Sequence, residues 1–243
     1  MRIYFFLIIS LVIALGCDDG EECDLGLRGS SIKCKIDQIT FSSGDQSWNI
    51  DFVYNEAGQL SSVLRDGVEF HAYEYKDDRL SKVVEKAEDQ PVFIYEYEYT
   101  SGKEIIIQET VDTGKKLRIT KFRDLCGQVT QVEVHDLETD QLISTTKNTW
   151  NKGNIITAIW SNGSSSCISE MIYDNRPNPF SELNGHLGNT VNNVIRTDFG
   201  CFVTPEIRNI EYYSNGYPKL IEPHYLSSVL GTAKAEINYR DCE

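Results

Sequence analysis

The stretch that decides the fold is Phe52-Val53-Tyr54-Asn55-Glu56-Ala57-Gly58-Gln59-Leu60-Ser61-Ser62-Val63. In it, Tyr54 ends one segment of alternating side chains, a short polar run with Gly58 follows, and Leu60 begins the next segment. Strands place successive side chains on opposite faces, and glycine permits a tight reversal between them. The stretch therefore predicts strand, tight turn and strand.

As far as Tyr173, weaker copies of this unit return 21 to 28 residues apart, which is the length of one hairpin per unit, and a further copy follows at Tyr213. Their aromatic anchors are Tyr54, Tyr75, Tyr99, Phe122, Trp150, Tyr173 and Tyr213. In the second copy Arg79 takes the place of the glycine, and Asp66-Gly67 between copies is a strong two-residue hairpin signal. We expect an all-β antiparallel meander of about fourteen strands, forming a curled sheet or open barrel.

The first sixteen residues are typical of a signal peptide. Arg2 precedes an apolar run from Ile3 to Leu15, which is too short for a transmembrane helix of ~20 residues. The run ends in Ala14-Leu15-Gly16-Cys17, which resembles the bacterial lipobox, although Leu stands one position late. We expect residues 1–16 to be removed and Cys17 to be lipidated; an ordinary signal peptide with Cys17 in a disulfide is the alternative.

An acidic tether follows in residues 17–30, since Asp18-Asp19-Gly20-Glu21-Glu22 is too polar to fold by itself. Its acidic run resembles the surface-export signal of lipoproteins from Bacteroidota. That resemblance implies an outer-membrane lipoprotein on the cell surface, while a plain linker leaves the periplasmic face open. The run lacks the ligand spacing of a calcium loop.

Six further cysteines are candidates for disulfide bonds, because an exported chain meets an oxidising environment. They are Cys23, Cys34, Cys126, Cys167, Cys201 and Cys242. Their spacing matches no zinc site, so no metal ligands are assigned, and the sequence selects none of the fifteen pairings that six cysteines allow.

The remainder, residues 31–243, is predicted as a single all-β repeat domain with one irregular insertion at about 174–200. Two prolines, Pro177 and Pro179, and an Asn- and Gly-rich run from Asn184 to Asn193 interrupt the alternation there. We expect a loop with a helical turn near Phe180 to Leu183. It would either bind a ligand or cover an open end of the sheet.

The net charge of −14 excludes nucleic acid as an attractive partner, because a phosphate backbone would be repelled. No catalytic residue and no cofactor is predicted, since the four histidines are scattered and no serine or cysteine has a neighbouring base that would activate it. Asp112-Thr113-Gly114 matches the aspartic-protease triplet but has no second copy, so we interpret it as a hairpin turn. Aromatic residues are plentiful enough to stack on a glycan.

The copies at Tyr54, Phe122, Trp150 and Tyr213 resemble the YD repeats of RHS-type proteins, although the expected Asp is replaced in each. In size and order the chain is more similar to a group of uncharacterised Bacteroidota lipoproteins with a lipobox, such hairpins and a segment like Tyr173 to Phe180. The resemblance implies an antiparallel sheet curled towards an open barrel. It names no catalytic residue.

Together these features predict a lipoprotein held on the outer membrane through Cys17, most simply a non-catalytic binding or structural module of the envelope. A glycan or protein ligand is expected besides the membrane. The alternative is an extracytoplasmic hydrolase that cleaves glycans with two carboxylates placed together beside aromatic rings.

Overall fold

The computed structural model describes residues 34–88, 90–179, 192–200, 206–224 and 233–242. Within these ranges the chain forms one sheet of seventeen strands, which confirms the predicted all-β class. The strands are β1 (Lys35–Ser43), β2 (Gln46–Tyr54), β3 (Leu60–Arg65), β4 (Val68–Lys76), β5 (Arg79–Ala87), β6 (Gln90–Thr100), β7 (Lys103–Thr110), β8 (Lys116–Arg123), β9 (Val129–Asp136), β10 (Leu142–Asn151), β11 (Asn154–Ser161), β12 (Ser166–Pro177), β13 (Asn192–Phe199), β14 (Glu206–Ile207), β15 (Asn209–Tyr212), β16 (Pro218–His224) and β17 (Ala233–Arg240).

Consecutive strands pair antiparallel from β1 to β14 and from β15 to β17, and β1 also pairs with β17. Only Arg208 separates β14, which pairs with β13, from β15, which pairs with β16. The backbone N–H of Arg208 donates to the carbonyl of Ile195 at 2.9 Å, so β14 and β15 behave as one strand. The result is a nearly closed, barrel-like sheet in which neighbours in sequence are neighbours in space.

Two differences from the sequence prediction concern strand number and the insertion. Seventeen strands replace the expected fourteen, partly because the strand from Glu206 to Tyr212 is interrupted at Arg208. Within the interval 174–200, residues 174–177 belong to β12 and residues 192–199 to β13. Pro177 is tolerated as the last residue of its strand, where its missing N–H removes no interior ladder bond. The helical turn expected near Phe180 to Leu183 lies outside the described residues.

Alternation along the strands separates an inner face from an outer face, and directly opposed residues share a face. Fully buried side chains oppose one another around much of the sheet, as in Phe52 with Val63 and Ile39 with Ile237. The buried cluster consists of Ile36, Ile39, Phe41, Phe52, Leu60, Val63, Tyr73, Leu80, Val83, Tyr97, Ile106, Ile221, Ala233, Ala235 and Ile237. These residues lie on β1 to β7, β16 and β17, so the apolar core fills that side of the ring.

Charged side chains lie on the outer face of several strands, next to aliphatic ones such as Val84 and Ile107. Glu109 on β7 faces Lys116 on β8 at 3.0 Å, and Glu74 on β4 faces Lys82 on β5 at 3.5 Å. Both pairs are cross-strand neighbours on the side opposite the core. A barrel that spans a membrane has the reverse arrangement, with apolar side chains towards lipid. These charged positions on β4, β5, β7 and β8 are therefore suited to water. No helix among the described residues is long and apolar enough to cross a membrane.

The predicted hairpin at Tyr54 is confirmed. Tyr54 pairs with Leu60, and the reversal is closed by hydrogen bonds from Asn55 N–H to Gln59 O and from Gly58 N–H to Asn55 O. The second copy, which lacks glycine, turns instead through Asp77 and Asp78, whose φ angles are 52° and 59°. Aspartate is one of the few residues that tolerates this left-handed region, so two of them replace the missing glycine.

We call the end of the sheet that carries these turns, together with Cys34 and Cys242, the lower end. At this end five of the seven repeat aromatics, and Tyr239 as well, donate hydrogen bonds to backbone carbonyls of a nearby strand. The donors and acceptors are Tyr54 to Ile36, Tyr99 to Leu80, Trp150 to Val129, Tyr173 to Ile155, Tyr213 to Ile237 and Tyr239 to Pro218. Most aromatic residues of the sequence repeat thus connect one hairpin to another.

Replacing Tyr54 with Phe is expected to lower the free energy of unfolding by about 1 kcal/mol, because the Ile36 carbonyl loses its donor while the ring remains. Urea unfolding of the purified protein measures the change. Tyr75→Phe is the matched control, since the described residues supply no hydrogen-bond partner to the Tyr75 hydroxyl, and we expect a change under 0.5 kcal/mol. Equal losses in the two variants would contradict the proposed role of these hydrogen bonds.

Candidate functional site

The inner face of the sheet changes character around the ring. On β1, β16 and β17 it is filled by aliphatic side chains, whereas on β10 to β12 it carries many small, polar or partly exposed residues, such as Ser144, Thr146 and Ser169. Trp160 on β11 opposes Thr146 on β10 on this inner face and is 39% exposed. Solvent therefore reaches part of the inner wall near the upper end, which is the end with the turn at Asp66-Gly67. Three clusters of polar side chains lie on or beside the inner face of the sheet.

The first cluster joins β7 and β8 at the lower end. Glu104 is 3% exposed and accepts hydrogen bonds from Lys121 Nζ at 2.7 Å and from Arg123 Nη2 at 2.6 Å. Burial opposes ionisation of Glu104, but the two cations outweigh it and hold the pKa of the carboxyl below its ordinary value. An ionised carboxylate with two cations is a structural tie, and it is a poor proton donor for catalysis.

The second cluster lies on the inner wall of β4, β5 and β6. His71 opposes Glu85, and their Nε2 and Oε2 atoms are 3.9 Å apart. Tyr95 donates its hydroxyl to Glu85 Oε2 at 3.2 Å. Among the described residues, the only basic side chain within ion-pair distance of Glu85 is His71. The Glu85 side chain is 37% exposed, so the carboxylate faces the accessible part of the interior.

Burial shapes the ionisation of this second cluster. It lowers the pKa of His71 to about 4, so the imidazole is neutral at pH 7 and gives Glu85 no counter-charge. Burial, together with the nearby Glu85 carboxylate, raises the pKa of Tyr95 to about 12. The Tyr73 hydroxyl is buried in the same region with no hydrogen-bond partner among the described residues. Leaving a buried hydroxyl without a hydrogen-bond partner costs about 1–3 kcal/mol.

The third cluster lies near the lower end, beside the chain that leads out of β12. Tyr212 donates a hydrogen bond to Asp174 Oδ2, and the Asn193 side-chain amide donates to the same oxygen at 3.2 Å. Arg176 lies over the Tyr212 ring at 5.6 Å from its centroid. Asp174 also accepts the N–H of Arg176 at 2.9 Å. Asp174 therefore fixes the end of β12 against β13 and β15. Phe180 and Leu187 of the expected insertion lie outside the described residues.

The hydrolase alternative requires two carboxylates available for acid and base roles. On the inner face of the described strands, Glu104 is paired with Lys121 and Arg123, and Glu206 with Arg208 at 2.9 Å. Glu85 has no Lys or Arg within ion-pair distance among the described residues, but no second carboxylate is shown beside it. The described residues therefore give no specific support to a glycosidase mechanism.

The cysteines assigned from the sequence are placed as follows. Cys34 and Cys242 form a disulfide bond at the lower end, where β1 meets β17. Cys126 and Cys167 each take part in a disulfide bond as well. Cys17, Cys23 and Cys201 lie outside the described residues. Sequence analysis predicted that these cysteines form disulfide bonds. It could not predict that Cys34 pairs with Cys242, because that pairing follows from the contact between β1 and β17.

Asp112-Thr113-Gly114 lies in the turn between β7 and β8, as predicted. The turn is closed by hydrogen bonds from Gly114 N–H to Thr110 O and from Thr110 N–H to Lys115 O. Of the histidines, His135 contacts Glu133 at 3.4 Å on the outer face of β9. Within the described part of the chain, no group of three or more His, Cys, Asp or Glu side chains is placed to hold a metal ion.

The outer face of β11 to β14 departs from the charged pattern described above. Ile159 and Ile168 oppose each other there and are 40% and 48% exposed. Ile172 and Ile207 continue the apolar strip, with Arg196 between them. Sequence reasoning missed this strip, because an isoleucine in a strand gives the same local signal on either face.

Comparison with protein-family models and with curated proteins finds no match. Among solved structures, the chain is similar to a porin-like protein from Bacteroides uniformis, at 10% identity and a TM-score of 0.49, covering 84% of this chain and 96% of that one. It is also similar to a porin-like protein from Bacteroides vulgatus, at 11% identity and a TM-score of 0.43, covering 86% and 99%.

Proposed function

We propose that the protein is a non-catalytic binding or structural module of the cell envelope, held on the outer membrane by a lipid on Cys17. The observation that supports this most is the outward position of charged pairs such as Glu109 with Lys116, opposite an apolar interior. A sheet of this kind is suited to water, so its attachment to a membrane would need a separate anchor. The lipobox-like segment ending in Cys17 would supply one.

The position of Cys34 suggests which end of the sheet would face the membrane. Residues 18–33 would connect the lipid to Cys34, which lies at the lower end beside Cys242. The lower end would then face the membrane, closed by the inward aromatic residues and their hydrogen bonds. The upper end, with its turns at Gly44 and Asp66-Gly67, would point away from it, on the cell surface or into the periplasm. A ligand would approach the upper inner wall.

Replacing Cys17 with Ala is expected to release the protein from the membrane. In a Bacteroidota host, the wild-type chain should partition into the detergent phase of Triton X-114 and take up labelled palmitate, whereas Cys17→Ala should remain aqueous and unlabelled. Cys23→Ala is the matched control, since it removes a nearby cysteine but keeps the anchor. If Cys17→Ala still took up labelled palmitate, the proposed anchor would be wrong.

A further inference from the structure

The cluster of His71, Glu85, Tyr95 and Tyr73 on the inner wall has an excess of hydrogen-bond acceptors. The Tyr95 hydroxyl hydrogen is already donated to Glu85. The other Glu85 carboxylate oxygen is shown with no hydrogen-bond donor among the described residues, and the neutral His71 ring offers one unprotonated nitrogen. The Tyr73 hydroxyl is buried without a partner. The cluster's own spare donors, the remaining N–H of His71 and the O–H of Tyr73, are fewer than its open acceptors, so a ligand that matches this set must bring donors.

Charge narrows the class of ligand. The Glu85 carboxylate has no Lys or Arg within ion-pair distance in the described part of the chain, while Lys86, its neighbour in sequence, pairs with Glu69 at 2.6 Å. The protein as a whole carries a net charge of −14, which raises the local concentration of cations. A cation bound beside Glu85 would therefore meet an uncompensated negative charge.

Aromatic rings complete the surroundings. The Phe70 and His71 rings are 4.3 Å apart between centroids, and the Phe93 and Tyr95 rings are 6.4 Å apart. Phe93 opposes Glu85 across the β5–β6 pairing. Faces of aromatic rings attract ammonium groups, and their apolar edges suit an alkyl chain attached to the ammonium.

We propose that this inner wall of β4, β5 and β6 binds a primary alkylammonium group, such as that of a diamine or a lysine side chain, with Glu85 as its counter-ion. A primary ammonium presents three N–H donors, which suits the Glu85 carboxylate, the unprotonated nitrogen of His71 and the hydroxyl oxygen of Tyr73. The proposal rests on the binding role proposed above and adds the class of ligand.

Isothermal titration calorimetry with cadaverine at low ionic strength tests the proposal, with 1,5-pentanediol as an uncharged probe of the same length. We expect saturable binding of cadaverine to the wild-type protein, at least tenfold weaker binding to Glu85→Gln, and intermediate binding to Glu85→Asp. Glu96→Gln removes a charge from the outer face of the adjacent strand β6 and should bind as the wild type does. Circular dichroism of each variant verifies that it is folded.

Three results would overturn the proposal. Absence of cadaverine binding at millimolar concentrations would remove it outright. Equal weakening in Glu85→Gln and Glu96→Gln would show diffuse attraction to an acidic protein. Pentanediol binding as tightly as cadaverine would indicate a neutral hydroxyl ligand such as a glycan. The partition of the Cys17→Ala variant is independent of all three, so the anchoring proposal stands or fails separately.

Discussion

Glu104→Gln is expected to lower the free energy of unfolding by about 3–5 kcal/mol. The substitution leaves Lys121 and Arg123 on the inner face without their shared carboxylate, and the Lys121 side chain is only 12% exposed. Removing one member of a buried ion pair costs about 3–5 kcal/mol, whereas the intact pair contributes much less than this difference. Urea unfolding followed by circular dichroism measures the change.

Glu109→Gln is the matched control for this prediction, because Glu109 lies on the same strand and also pairs with a lysine, Lys116. Glu109 is on the outer face, where an exposed ion pair contributes only about 0–1 kcal/mol. The contrast between the two variants reports which face of β7 is inside. Similar losses in both variants would contradict the assignment of the inner face.

Glu104→Gln should also alter the dependence of the free energy of unfolding on pH. Because Lys121 and Arg123 hold the pKa of Glu104 below its ordinary value of 4.5, the unfolded chain binds a proton at this position more readily than the folded chain. The stabilisation is fully present above pH 4.5 and is lost as the pH falls through the lower pKa of the folded protein. Glu104→Gln should lack this part of the acid-induced loss.

Removing the disulfide bond between Cys34 and Cys242, by replacing both residues with Ala, is expected to lower the free energy of unfolding by about 4–5 kcal/mol. The bond closes a loop with a sequence separation of 208 residues, so it greatly restricts the unfolded chain. It also holds β1 against β17, the pairing that joins the two ends of the sheet.

The disulfides of Cys126 and Cys167 remain in the double variant, so the comparison isolates the bond at the ring closure. Urea unfolding under non-reducing conditions gives the change, and the far-ultraviolet spectrum of the native state should stay the same. A loss below 1 kcal/mol would mean that the pairing of β1 with β17 needs no covalent support.

Local signals in the sequence predicted most of the fold, because each hairpin is specified by its own residues. The aromatic before the turn, the glycine within it and the leucine after it at Tyr54 to Leu60 needed no information from elsewhere in the chain. Even the copy without glycine kept its turn, since Asp77 and Asp78 adopt the required backbone.

The candidate site could not be predicted in the same way. His71 and Glu85 are fourteen residues apart, and they face each other because of the register between β4 and β5, which one sequence does not reveal. The Glu104 triad depends likewise on the register between β7 and β8. Closure of the ring depends on β1 and β17 meeting, a contact between opposite ends of the described chain.

The central claim is that the apolar face of the sheet points inward and the charged face meets water. Hydroxyl-radical footprinting of the native protein at residue resolution tests it on Ile105, Ile106 and Ile107, three identical side chains in a row on β7. Ile106 is 2% exposed on the inner face, whereas its two neighbours lie on the outer face and are partly exposed. We predict modification of Ile105 and Ile107 and protection of Ile106; strong modification of Ile106 with protection of its neighbours would contradict the account.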